Sequence, residues 1–179
     1  MPRSGCYLHS KLCHLVRLVI SVFVLLLAVP VVADDLNKGF TALADGRPDE
    51  AVRYWTPLAE QGDKVAQASL GLLYQTGQGV AQDHHRAIAL FRASAQQGYP
   101  FAFTALGASY HDGLGVTIDK PAAMMWFLLG APFDPNASFM AQALADELPY
   151  TVVQIVRKKA KTCQNSNYQK CIFLIDPGN

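Results

Sequence analysis

Charge is scarce in this chain of 179 residues: only 16% are Asp, Glu, Lys or Arg, and the formal net charge is +1. Even that small excess is local. Arg3, Lys11 and Arg17 precede the first acid, Asp34, so residues 34–179 hold 12 basic and 14 acidic residues and carry a charge of −2. A near-neutral, mildly acidic domain lacks the basic footprint that nucleic acid requires. Long apolar runs are also lacking. The single candidate, Leu18–Ala33, has sixteen residues and includes Pro30, short of the ~20 that span a bilayer. Catalytic and metal-binding signatures are absent too. No HExxH, GxSxG, GxxxxGK[ST] or CxxC occurs, which removes the sequence grounds for a zincin, an α/β-hydrolase, a P-loop enzyme or a dithiol oxidoreductase. His84, His85 and His111, the histidines outside the N-terminal 33 residues, do not recover a metal site. Two are adjacent, about 100° apart on a helix, and the third is remote in sequence. Neither a metal nor a cofactor is expected.

What is present starts with an address. Basic residues, then the apolar run, then Val31 and Ala33 at the small-residue positions before Asp34 form the pattern of a secretory signal peptide over residues 1–33. The alternative is an uncleaved anchor, and the chain would meet a membrane only in that case. Cysteine use agrees with export. Cys6 and Cys13 fall in the leader, leaving Cys163 and Cys171 as an even pair. In an oxidising compartment such a pair points to a disulfide. A metal site would need further ligands, and a redox pair would be spaced as CxxC.

The body of the chain repeats itself. "LGLLYQTGQGVAQD" (Leu70–Asp83) returns as "LGASYHDGLGVTID" (Leu106–Asp119), thirty-six residues on. Gly71, Tyr74, Gly77, Gly79 and Asp83 fall on Gly107, Tyr110, Gly113, Gly115 and Asp119, and Ala87, Phe91 and Ala95 fall on Ala123, Phe127 and Ala131. The spacing predicts two helices per unit. Gly71 and Gly107 sit inside the first, where glycine costs about 1 kcal/mol against alanine, a cost that a close helix approach explains. The next glycines supply positive φ at the helix end, and Asp83 and Asp119 stand at the N-cap of the second helix. Trp55, Phe91 and Phe127 share one repeat position and are expected in the core.

A helical hairpin repeated every thirty-six residues is an α-solenoid unit. The phrase "A…LG..Y..G.GV..D…A…F…A..G" resembles the Sel-1-like repeat, a relative of the tetratricopeptide repeat with a longer inter-helix loop. The resemblance implies an all-α, right-handed solenoid. Its units are a degenerate tetratricopeptide-like repeat at 34–64, full repeats at 65–100 and 101–136, and a degenerate C-terminal helical pair at 137–179, closed by the Cys163–Cys171 bridge. The first unit is shorter: Gly39 to Ala51 spans twelve residues, where Gly71 to Ala87 spans sixteen. The apolar "CIFLI" (171–175) is expected to fold back over the end of the stack. In this superhelical class the first helices line a concave binding face. Positions there that differ between copies are Ala68 against Thr104, Gln75 against His111, and Thr76 against Asp112, and these are the expected contacts.

The resemblance therefore implies a non-enzymatic adaptor or scaffold, exported to a bacterial periplasm or beyond, whose partners are one or more proteins or peptides. The alternative is a secreted hydrolase, because some cysteine-rich members of the family are described as penicillin-binding β-lactamases. The two full repeats here contain no cysteine, and the S-x-x-K and K-T-G motifs of serine β-lactamases do not occur.

Overall fold

The computed structural model describes residues 34–169 and Cys171; the expected leader and residues 172–175 of "CIFLI" lie outside the described residues. Eight helices and no strands occur among them. They are α1 (34–44), α2 (Pro48–Glu60), α3 (Lys64–Thr76), α4 (His84–Gln96), α5 (Pro100–Asp112), α6 (Lys120–Gly130), α7 (Pro135–Glu147) and α8 (Tyr150–Asn165). Helices α3 and α4 pair as a hairpin, as do α5 and α6, and each hairpin stacks on its predecessor through its first helix. The all-α solenoid read from the repeat is the observed architecture.

The two full units match bond for bond. Asp83 N–H donates to Tyr74 O, and Asp119 N–H donates to Tyr110 O, both at 2.9 Å. The carboxylates of the same aspartates accept from Arg86 N–H and Ala122 N–H at 2.9 Å, each closing the first turn of a second helix. Gly77 and Gly113, in left-handed conformation at φ 72° and 75°, end the first helices.

Inside each hairpin a ring lies against a glycine. A Cβ built on Gly71 would stand 2.8 Å from the Phe91 ring, and one on Gly107 would stand 2.6 Å from Phe127. One on Gly39 would fall on the Trp55 indole. The close approach expected at these glycines is real, but a buried aromatic ring from the second helix makes it, not helix backbone. Trp55, Phe91 and Phe127 are 0–2% exposed, as core residues should be.

Between hairpins the inter-helix loop is the wedge. Gly79 presses on the backbone of Pro48 and Asp49 at the start of α2, and Gly115 presses on His84 at the start of α4. Both glycines have φ above +70°, so a side chain there would meet strain and collision together. Polar stitches join the start of α3 to the end of α4. Ser94 Oγ donates to Lys64 O at 2.6 Å, and Gln97 Nε2 reaches both Gly62 O and Gln67 Oε1 at 2.9 Å.

The C-terminal end departs from the regular pattern. The sequence pairs α7 with α8 as one degenerate unit, yet both pack chiefly against α6. Helix α6, "KPAAMMWFLLG", is therefore enclosed on nearly every side, with Met124, Met125, Trp126, Phe127 and Leu129 all buried. That explains its apolar composition all round, where an outer helix would carry a polar stripe. The Cys163–Cys171 disulfide closes the turn after α8. It brings Tyr168 over Gly98 and to 5.0 Å from the Phe103 ring, while Gln169 Nε2 donates to Gln96 O at 3.1 Å. Tyr168 holds φ 67°, a conformation costing an L-residue about 1–2 kcal/mol.

Replacing Cys163 and Cys171 by serine together is expected to lower stability by about 2–3 kcal/mol, the closure term for so short a loop. Urea unfolding of the two forms measures this, and a loss near zero would show that the turn holds itself.

Candidate functional site

The residues expected to meet a partner divide into three groups. Ala68 is the correction: it is 0% exposed and offers no surface. Its repeat partner Thr104 is half-buried and is engaged internally, donating to Asp134 Oδ2 at 3.1 Å. Asp134 is also the N-cap of α7, accepting from Asn136 N–H, so Thr104 ties one unit to the next.

The remaining four gather at the C-terminal ends of α3 and α5. Gln75 Nε2 donates to Ser109 Oγ at 3.2 Å, which sets the end of α3 beside the end of α5. Thr76 is exposed, its hydroxyl returning to Leu72 O at 2.9 Å. His111 Nδ1 lies 2.6 Å from Asp112 Oδ1, and Asp112 is exposed. Gln75, Thr76, His111 and Asp112 thus form one polar patch spanning two units. Thr104 lies about 10 Å further along α5, at 1.5 Å per residue.

Charge continues from that patch to the end of α7. Lys120 Nζ meets Glu147 Oε2 at 2.6 Å, joining the start of α6 to the last turn of α7. The hydrogen bond from Lys120, then its charge, holds the Glu147 carboxyl below its ordinary value of 4.5, with a smaller contribution from His111. Among the described residues no group of three or more His, Cys, Asp or Glu could hold a metal ion, and no helix there is long and apolar enough to cross a membrane.

The paired tyrosines differ between units in a way the repeat alignment hides. The Arg86 guanidinium lies 4.4 Å above the Tyr74 ring. Alanine stands at the corresponding position 122, and Tyr110 instead receives a hydrogen bond from Arg92 Nη2 at 2.7 Å. Sequence reasoning missed this contact because it sought differing positions on the first helices only; the signal lay in the second helices. Exposed aromatics also went unforeseen. Phe40 and Phe101 are 43% and 42% exposed on first helices, one edge-on to Trp55 and the other to Phe91.

With that geometry in hand, comparison with known proteins is informative. The family model described as the Sel1 repeat matches residues 42–63, 64–99 and 104–131. No curated protein matches the chain. Among solved structures the chain is similar to a Sel1 repeat protein from Oxalobacter formigenes, at 32% identity and a TM-score of 0.55 over 63% of this chain and 88% of that one. It is also similar to a protective antigen present in uropathogenic Escherichia coli strains, which displays an SLR fold. That match has 26% identity and a TM-score of 0.66 over 82% of this chain. The chain spans 31% of the antigen's length.

The Lys120–Glu147 pair gives a pH test. A carboxyl held below its ordinary value contributes stability that is present above pH 4.5 and lost as pH falls beneath it. Both groups are exposed, so the effect is small and salt-screened. Glu147→Gln is expected to flatten the loss of stability as pH falls through and below 4.5 at low salt, and to change nothing in 1 M salt, where screening is nearly complete. Chemical denaturation across that range checks it.

Proposed function

The chain belongs to the Sel1 repeat family, whose fold is a protein–protein interaction scaffold, and on that premise we propose that it is an exported bacterial adaptor. It binds a protein or peptide partner through the polar patch of Gln75, Thr76, His111 and Asp112, without catalysis. One observation carries the reading: the Gln75–Ser109 hydrogen bond aligns the ends of two first helices, so residues that differ between copies come to share a surface. Because repeated scaffold residues are fixed by packing, those variable positions are where a solenoid can encode a partner. The leader pattern and the even cysteine pair support export, and both similar structures named above come from bacteria.

The test is a crosslinked pull-down from the native envelope with the tagged full chain, beside a triple variant Gln75→Ala, His111→Ala, Asp112→Ala. A partner captured by the parent and lost from the variant is the expected result, with the recovered chain beginning at Asp34 by intact mass. A partner retained at full yield by the variant would move the site elsewhere. Capture of nothing, together with turnover of a β-lactam or peptidoglycan fragment, would favour the hydrolase alternative.

A further inference from the structure

The second helices of the two full units, α4 and α6, scarcely meet, and a furrow runs between them. Its α6 side follows from the neighbours of that helix. Phe127 faces Gly107 of α5, and a Cβ added to Gly130 would stand 3.2 Å from that of Ala137 on α7. At about 100° per residue, Leu128 lies roughly 160° round from Gly130, on the side turned to the preceding unit. Leu128 and Pro121 are both half-buried there. At one end the furrow widens into a cavity of about 440 Å³, where Ile88 and Ala89 of α4 meet Val116 and Ile118 of the inter-helix loop. Ile118 is 60% exposed.

The repeat supplies an internal control. Thirty-six residues earlier, the corresponding positions between α2 and α4 hold Arg53, Gln82, His85 and Arg92. In the later furrow they are Ala89, Ile118, Pro121 and Leu128. Four polar positions have become four apolar ones. A furrow filled by water gains nothing from that exchange, whereas one filled by an apolar segment does.

The chain itself supplies such a segment at the right place. The disulfide-closed turn lies across the other end of the furrow, at the last turn of α4. Tyr168 covers Gly98 there, and Gln169 Nε2 donates to Gln96 O at 3.1 Å. Cys171 N–H donates to Tyr168 O at 3.4 Å, and Cys171 is 0% exposed. Residues 172–175, "IFLI", come next, and "DPGN" ends the chain. Four apolar residues leaving a buried cysteine need cover along their length; the polar four do not. Extended, residues 172–175 span about 13 Å. The rise of α4 from Gln96 to Ile88 is about 12 Å. The apolar letters match the length of the furrow, and the polar ones fall beyond its wide end.

We propose that residues 172–175 fill the furrow between α4 and α6, running from Gln96 towards Ile88 and lying against Ala89, Val116, Ile118 and Leu128. The furrow is thus a docking surface for the chain's own C-terminal segment. It shares no residue with the patch of Gln75, Thr76, His111 and Asp112.

Photocrosslinking on the full chain tests it. With Phe173→p-benzoylphenylalanine, irradiation and peptide mapping are expected to give crosslinks within one chain, to residues 85–92 or 116–128. Their yield should not change with protein concentration. Ala89→Arg together with Ile118→Gln restores the residues of the preceding furrow at two exposed positions. That pair is expected to cut the yield several-fold while leaving the helical circular dichroism unchanged. Crosslinks to the exposed rings of Phe133 or Phe139, crosslinks between two chains, no crosslink, or a yield untouched by the paired substitution would overturn the proposal.

Discussion

A flat ring laid on bare helix backbone is the contact on which the rest of this molecule depends. In α3 and α5 a single residue without a side chain lets Phe91 and Phe127 lie where any Cβ would collide, at 2.8 and 2.6 Å. The contact fixes how close the two helices of a hairpin come and how they are rotated. It also sets the direction in which the inter-helix loop leaves, and so where Gly79 and Gly115 can wedge against the preceding unit. Helix propensity opposes a mid-helix glycine by about 1 kcal/mol. Burial of a whole aromatic side chain, worth roughly 1.5–3 kcal/mol, outweighs that cost.

A stack assembled this way has an end problem, since each unit leaves a face for the next. The chain answers it with composition. Helix α6 is apolar on all sides because α5, α7 and α8 surround it. The disulfide-closed turn then returns Tyr168 to Gly98 and Phe103. Along α7, Ala137, Ala141 and Leu144 are buried, and Met140 and Ala145 pack half-buried against the same core.

The hairpins, caps and core were legible because one phrase is written twice. Two copies separate what packing demands, which stays, from what may vary, so Gly71, Tyr74, Asp83 and Phe91 could be assigned physical tasks from the letters alone. The binding face was less legible for the same reason. Ala68 differs from Thr104 but is buried, and Thr104 is taken up by a hydrogen bond to Asp134. Variation marked both surface and repacking, and sequence alone does not separate them. The Arg92–Tyr110 contact was invisible because the two units keep the same tyrosine, Tyr74 and Tyr110, while drawing its arginine from different positions of α4. Departure of α8 from the hairpin pattern left no local sign either, since an amphipathic helix reads alike whichever neighbour it covers.

The ring-on-glycine account is tested most directly by a double-mutant cycle on Gly107→Ala and Phe127→Leu, followed by urea unfolding. Helix propensity by itself predicts that Gly107→Ala stabilises by about 1 kcal/mol. The account predicts the opposite sign: a loss of about 1–3 kcal/mol from overpacking, most of which disappears when Phe127 is already leucine, leaving a clear coupling energy. A neutral or stabilised Gly107→Ala protein, or the same effect with and without the ring, would contradict it.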